Sequence, residues 1–410
     1  MQRIAFASLL FSLAASSASA QAVEVDKLNG SGTNASDLFG QTVSICRHTT
    51  LIGAPQQAGV GLTSGAAYIH DRQPAGTWTE TVELTPADAA AGDRFGRAVH
   101  LYGYRGIIGA PGDDGGAGDN EGSAYIFDRM PDGSWVESAK LIPSTPVAWD
   151  EFGSSVALSG NYAAVGAWRN DDIATDAGKV YVFERQLDGS WLEVAALTAS
   201  DASEDADFGW SLSMSTTTLF VGADRQDAQG AVYVFERNWA GAWNETQKIS
   251  ALDAHVLDYF GHSVSVLGNH AIVGAPNAEG PGDPLGDDRG AAYIYERIGG
   301  FWQQVARIEA SDASQTDDFG YSVGMYPGRA VIGAWNDDPV GNNSGSAYVF
   351  ERQPLGGAWT EVDKMVPADG FDGDLFGYAI GIWSTYIVVG ARNDDDLGSS
   401  SGSAYIFQML

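Results

Sequence analysis

The chain is short of cysteine, of basic residues and of any apolar run long enough to cross a bilayer. Cys46 is the only cysteine among 410 residues, so no disulfide can form within the chain. Its place in the apolar alternation Thr42-Val43-Ser44-Ile45-Cys46 predicts a buried, inert thiol. Lysine and arginine number 22 against 53 aspartates and glutamates, and a net charge of −31 repels nucleic acid and anionic lipid. The six histidines are scattered at His48, His70, His100, His255, His262 and His270 without an H-x-x-x-H spacing. A G-x-S-x-G elbow and a phosphate-binding glycine loop are also missing. No catalytic motif is found, so an enzyme is not the first expectation.

The N-terminus does carry a short apolar run, Ile4 to Leu13, after Arg3 and before Ala18-Ser19-Ala20. That order predicts a secretory signal over residues 1–20, cleaved near Ala20 and leaving a soluble chain exported to the periplasm, cell surface or medium. The run is too short for a transmembrane segment, and no cysteine stands at the cleavage point to take a lipid.

What the chain has in abundance is repetition. Phe-Gly recurs at Phe39, Phe95, Phe152, Phe208, Phe260, Phe319 and Phe376, at intervals of roughly 56 residues. Each copy opens an alternating strand A, such as Phe152 to Leu158, followed by a tight turn and an apolar strand B ending in Gly-Ala. A polar loop leads to strand C, marked by Tyr68, Tyr125, Tyr181, Tyr233, Tyr293, Tyr348 and Tyr405. Strand D carries a tryptophan and an alternating tail, as in Trp135 to Leu141. Short β-branched and aromatic runs punctuated by Gly, Asp and Asn predict an all-β chain. The last copy stops after strand C, while Ala22 to Leu28 matches the strand D pattern of Trp359 to Met365. The expected fold is therefore a seven-bladed β-propeller with four-stranded antiparallel blades. The N-terminal strand completes the last blade, and residues 21–410 form a single domain.

Phe-Gly together with Gly53-Ala54-Pro55, Gly109-Ala110-Pro111 and Gly274-Ala275-Pro276 resembles the FG-GAP repeat of integrin α-subunit propellers and many secreted bacterial proteins. The resemblance implies adhesion or ligand recognition, often with calcium. Calcium-binding integrin blades carry a D-x-D-x-D-G-like A–B loop, whereas here that turn is short and nearly free of carboxylates, as in Ser159-Gly160-Asn161. The family's metal sites therefore do not carry over. Weak calcium binding is expected instead at Asp369, Asp372 and Asp374 and at Asp201, Asp205 and Asp207, where three carboxylates fall within seven residues. The alternative is that these aspartates cap turns.

Most of the 53 acidic residues fall in the B–C and D–A loops, which emerge on one face of a propeller, and those loops hold no lysine. Such a face either keeps an exported protein soluble or attracts cations and basic partners. The recurring doublets Asp113-Asp114, Asp171-Asp172, Asp337-Asp338 and Asp394-Asp395 are expected to serve the blade itself. Ligand recognition should lie where the repeats disagree. The residue after Gly-Ala reads Pro55, Pro111, Trp168, Asp224, Pro276, Trp335 and Arg392; the residue after Phe-Gly reads Gln41, Arg97, Ser154, Trp210, His262, Tyr321 and Tyr378. From these, Trp168, Trp335, Arg392, Asp224, Trp210, Tyr321, Tyr378 and His262 are the candidate contacts around the channel mouth. Trp168 and Trp335 stand out because their siblings are not aromatic, whereas Trp210 and Tyr321 suit inter-blade packing equally well. Rings converging on a concavity suit a carbohydrate or an extracellular protein ligand, bound by a monomer. The alternatives are a carbohydrate-active lyase or hydrolase at the same mouth, and a purely structural matrix component.

Overall fold

The computed structural model describes residues 21–115, 118–280, 288–354 and 356–410; the predicted signal segment lies outside the described residues. Blade 1 shows how the pattern folds: strand A is Thr42–Cys46, B is Thr49–Ala54, C is Ala66–Arg72 and D is Trp78–Leu84. Strand B is buried along its whole length because both of its faces meet neighbouring blades, so its residues run apolar rather than alternating. Strand D lies at the rim and alternates exposed Thr79, Thr81 and Glu83 with packed positions, which is the period of a half-buried strand. Seven such four-stranded antiparallel sheets form the propeller, with the A strands lining the central channel.

The last blade consists of Phe376–Trp383, Tyr386–Ala391, Ser403–Met409 and, as its strand D, Ala22–Leu28. Antiparallel pairing runs from Ala22 opposite Met409 to Leu28 opposite Ala404. The first strand thus covers the edge of the last sheet, the closure that the matching sequence patterns predict.

Within each blade the phenylalanine of Phe-Gly is fully buried and meets the strand C tyrosine edge to face. The centroids are 5.4 Å apart for Phe39 and Tyr68 and 5.5 Å for Phe376 and Tyr405. Between blades, strand D tryptophans pack on the preceding sheet: Trp302 on Phe220 at 4.9 Å and Trp78 on Tyr386 at 5.6 Å. Two polar ladders run around the ring. A strand D glutamate caps the loop of the preceding blade, as Glu80 does for Ser31, Glu193 for Ser144 and Glu361 for Ser311. Farther out, Arg129 pairs with Asp71, Arg297 with Glu236 and Arg352 with Glu296, each across a blade boundary. Cys46 is buried and free, and burial pushes its thiol up, so it fits the inert role expected of it.

Deleting residues 21–28 removes a whole ladder and exposes the Ser403–Met409 edge. The truncated chain is expected to lose more than about 4 kcal/mol, beyond the range of ordinary point changes, and to aggregate. Calorimetry and size-exclusion chromatography check this, and an unchanged melting temperature would refute closure by the first strand.

Candidate functional site

The residue after Phe-Gly begins strand A with its side chain turned to the channel, because the glycine before it presses against the neighbouring blade. As a result Gln41, Arg97, Ser154, Trp210, His262, Tyr321 and Tyr378, one from each blade, line a recess of about 280 Å³ at the loop-face mouth. Trp168 joins them from the second set. The other end of the channel opens into a wider cavity of about 920 Å³, bordered by Ser215 to Thr218, Asn269, Tyr326 and Trp383.

The rings of the mouth form a continuous arc. Trp168 meets Trp210 at 5.4 Å, Trp210 meets His262 at 5.5 Å, His262 meets Tyr321 at 4.6 Å and Tyr321 meets Tyr378 at 4.9 Å. Gln41, Arg97 and Ser154 complete the circle with polar groups. The residues after Gly-Ala stand just behind and hold the arc in place. Trp335 packs against Tyr321 at 5.6 Å and Tyr378 at 6.4 Å, so it supports the recess instead of lining it. Arg392 covers the Tyr378 ring at 4.0 Å and donates to its hydroxyl at 2.9 Å. Asp224, only 4% exposed, sits 2.9 Å from His262 Nδ1. One partner was not among the sequence candidates: Glu151, whose carboxylate accepts from Trp168 Nε1 at 3.2 Å and from Arg94 at 3.3 Å. Its signal is positional, since it directly precedes Phe-Gly, where the backbone is left-handed in every blade.

The carboxylate triplets expected to bind calcium are used differently. Asp369 accepts from Lys27 Nζ at 2.7 Å and from the Tyr405 hydroxyl at 3.0 Å, Asp374 caps the Phe371 N–H at 2.6 Å, and Asp372 is exposed beside Gly341. Asp201 is held by Lys248 and Tyr233, Asp205 is exposed, and Asp207 is buried with Arg225 at 3.3 Å. Among the described residues no three His, Cys, Asp or Glu side chains converge on a point that could hold a metal ion. The reason is that lysines at the end of strand D reach back into the loops. Lys140 contacts Asp88 and Asp113, Lys364 contacts Asp312 and Asp337, and Tyr125 and Tyr348 donate to the same pairs. This Asp-Tyr-Lys cross-link also offsets part of the charge that the lysine-free loops concentrate on one face.

The recurring Asp doublets serve their blades, as their repetition predicts. One aspartate of each doublet caps the loop further on, the second in Asp114 for Asn120, Asp338 for Asn343 and Asp395 for Ser400, and the first in Asp171 for Asp176.

Burial raises several carboxyls beneath the mouth. Asp207 is pushed up to about 7 by burial and then by repulsion from Asp224, and Asp318 to about 7 by burial and then Asp288. Burial likewise lifts Asp150, Asp258 and Asp374 to about 6.

With this geometry in view, a family model described as FG-GAP repeat matches residues 22–70, 78–127, 135–183, 191–235, 243–295, 302–350 and 359–407. No curated protein matches the sequence. Among solved structures, the periplasmic gluconolactonase PpgL of Pseudomonas aeruginosa is similar with a TM-score of 0.53 at 15% identity. The match covers 81% of this chain and 87% of that one, and at this identity it speaks to the fold alone.

A carboxyl raised from near 4 toward 6 or 7 holds more protons folded than unfolded across that window, so stability falls as pH rises through it. Asp88, Asp201, Asp312 and Asp369, held low by lysine and tyrosine hydrogen bonds that outweigh their burial, act below pH 4 and do not offset this. Burial lowers the imidazoles of His70 and His100, which pulls the other way up to about pH 6.5, but the raised carboxyls outnumber them, so the protein is expected to melt higher at pH 5.5 than at pH 7.5. Asp207→Asn should raise the melting temperature at pH 7.5 and flatten the slope; a melting temperature that climbs toward pH 7.5 would refute the assignment.

Proposed function

The chain belongs to the FG-GAP repeat family, and from that membership we propose that it is a binding scaffold that takes a carbohydrate ring at the loop-face mouth of its channel. The observation that carries the reading is the arc from Trp168 to Tyr378 facing the polar trio Gln41, Arg97 and Ser154 across one recess. Flat rings stack on the apolar face of a sugar with little loss of side-chain freedom, while amide, guanidinium and hydroxyl groups bond its edge. At about 280 Å³ the recess takes a single ring or the tip of a chain in preference to a broad protein surface. The reading includes export, with residues 1–20 as a cleaved signal and residues 21–410 as one domain acting outside the cytoplasm. No helix among the described residues is long and apolar enough to cross a membrane.

A second reading, a carbohydrate-active enzyme, draws on one feature of the same mouth, the pairing of His262 with Asp224 at 2.9 Å. It is also compatible with the fold, since the similar solved structure is that of a gluconolactonase.

Trp168→Ala should weaken binding to a hit from a glycan array about tenfold, the loss of one stacking contact worth about 1.4 kcal/mol, with the melting temperature nearly unchanged. Trp335→Ala should weaken binding and also cost about 1–3 kcal/mol of stability, because two tyrosines rest on it. An array without hits, or wild-type affinity in Trp168→Ala, would refute the site.

A further inference from the structure

We propose that His262 is a general base for hydrolysis of a carboxylic ester on a neutral sugar or polyol held in the mouth recess, with Asp224 as its positioning residue. This deepens the binding reading and rests on it.

His262 Nδ1 lies 2.9 Å from the Asp224 carboxyl, and in the tautomer in which Nδ1–H donates to a carboxylate the lone pair is left on Nε2. Nε2 makes no hydrogen bond among the described residues, and the ring lines the recess between Trp210 and Tyr321. Asp224 does not owe its place to the repeat, since its siblings are proline, tryptophan and arginine. It is also buried, which is the setting in which a carboxylate fixes the orientation of an imidazole.

The rest of the lining selects the reaction. No aspartate or glutamate lines the recess, so it lacks the carboxyl pair that glycoside hydrolysis uses. Its serines are not free nucleophiles: Ser154, Ser155, Ser211, Ser263 and Ser322 donate to the carbonyls of Gly166, Gly209, Gly261, Gly320 and Gly377. Water is therefore the nucleophile. Arg97 lines the same recess, its guanidinium makes no hydrogen bond among the described residues, and it offers donors for an oxyanion. The net charge of −31 disfavours the approach of an anionic substrate, so the proposal takes a neutral ester as the electrophile.

In the reaction Nε2 takes a proton from water as the hydroxide adds to the ester carbonyl carbon. The tetrahedral oxyanion forms beside Arg97. Collapse breaks the bond to the alkoxy oxygen, which receives the proton back from the imidazolium, giving one carboxylic acid and one alcohol for each water consumed.

The test uses the full chain with 4-nitrophenyl acetate and glucose pentaacetate as probes, alongside calorimetric binding of a glycan-array hit. His262→Gln should lower kcat by roughly 10²–10⁴-fold, the usual contribution of a positioned base, a far larger loss than any it causes in sugar affinity. Asp224→Asn should lower kcat at unchanged KM, and Asp224→Glu should recover part of it, which a purely structural role would not produce. A wild-type rate equal to buffer, or undiminished turnover in both His262→Gln and Asp224→Asn, overturns the proposal and leaves sugar binding standing. An unsaturated product from a polyuronate would assign elimination and overturn it as well. If wild-type protein binds no sugar, the underlying binding reading fails instead.

Discussion

Neighbouring blades meet through a backbone contact that leaves no room for a side chain, and the rest of the molecule is arranged around it. At Gly53 a Cβ would stand 2.0 Å from the carbonyl oxygen of Gly96 in the next blade, and at Gly390 it would stand 2.0 Å from that of Gly40, across the ring closure. Both partners are thus glycines of the two repeat signatures, Gly-Ala of one blade against Phe-Gly of the next. The contact sets how closely adjacent inner strands approach, and therefore the width of the channel they enclose. It also fixes the residue that follows each Phe-Gly at the mouth. The motifs that identify the repeat consequently determine which side chains line the recess without contributing one of their own.

The acidic residues divide along the same line. Where a carboxylate recurs from blade to blade it caps a loop or joins an Asp-Tyr-Lys cross-link, as Asp88, Asp113, Tyr125 and Lys140 do. Lys27 shows how the cross-link works: burial acts to lower its ammonium, and the hydrogen bonds it donates to Asp369, Asp396 and Asp394 outweigh that and hold it raised. A cation site would need these oxygens for itself. The lysine already supplies the positive charge, and it arrives on the strand that closes the ring.

The fold was legible because each of its determinants is local or periodic. Phe-Gly, Gly-Ala, the strand C tyrosine and the strand D tryptophan recur in order, and Ala22 to Leu28 matches the missing strand. The two variable positions were also readable as a mouth, since position within a repeat becomes position around an axis. What the sequence did not disclose is convergence from different elements. Lys140 is about fifty residues from Asp88, and nothing local joins them. The inner set and the set behind it look alike as strings, so the sequence could not tell that Trp335 stands behind the recess, against Tyr321. Glu151 escaped notice because an acid before Phe-Gly resembles its neighbours until the left-handed backbone turns it toward Trp168.

Departures from the repeat gather on one side of the ring. The aspartate two residues before Phe-Gly, which caps its loop in blades such as those of Asp37, Asp93 and Asp317, is replaced in blade 4 by the buried Ala206. Burial falls instead on Asp207, whose carboxylate oxygens make no hydrogen bond. The same blade carries Asp224 after Gly-Ala and a single turn of 3-10 helix, Gln226–Ala228, in its B–C loop. The next blade supplies His262. A buried aspartate whose only partner is Arg225 at 3.3 Å costs stability at neutral pH, whereas the aspartate two residues before Phe-Gly accepts a hydrogen bond in each of the six other blades. Its presence beside Trp210 and His262, where the mouth is most aromatic, is the pattern of a fold that gives up local stability at the place where its blades stop being interchangeable.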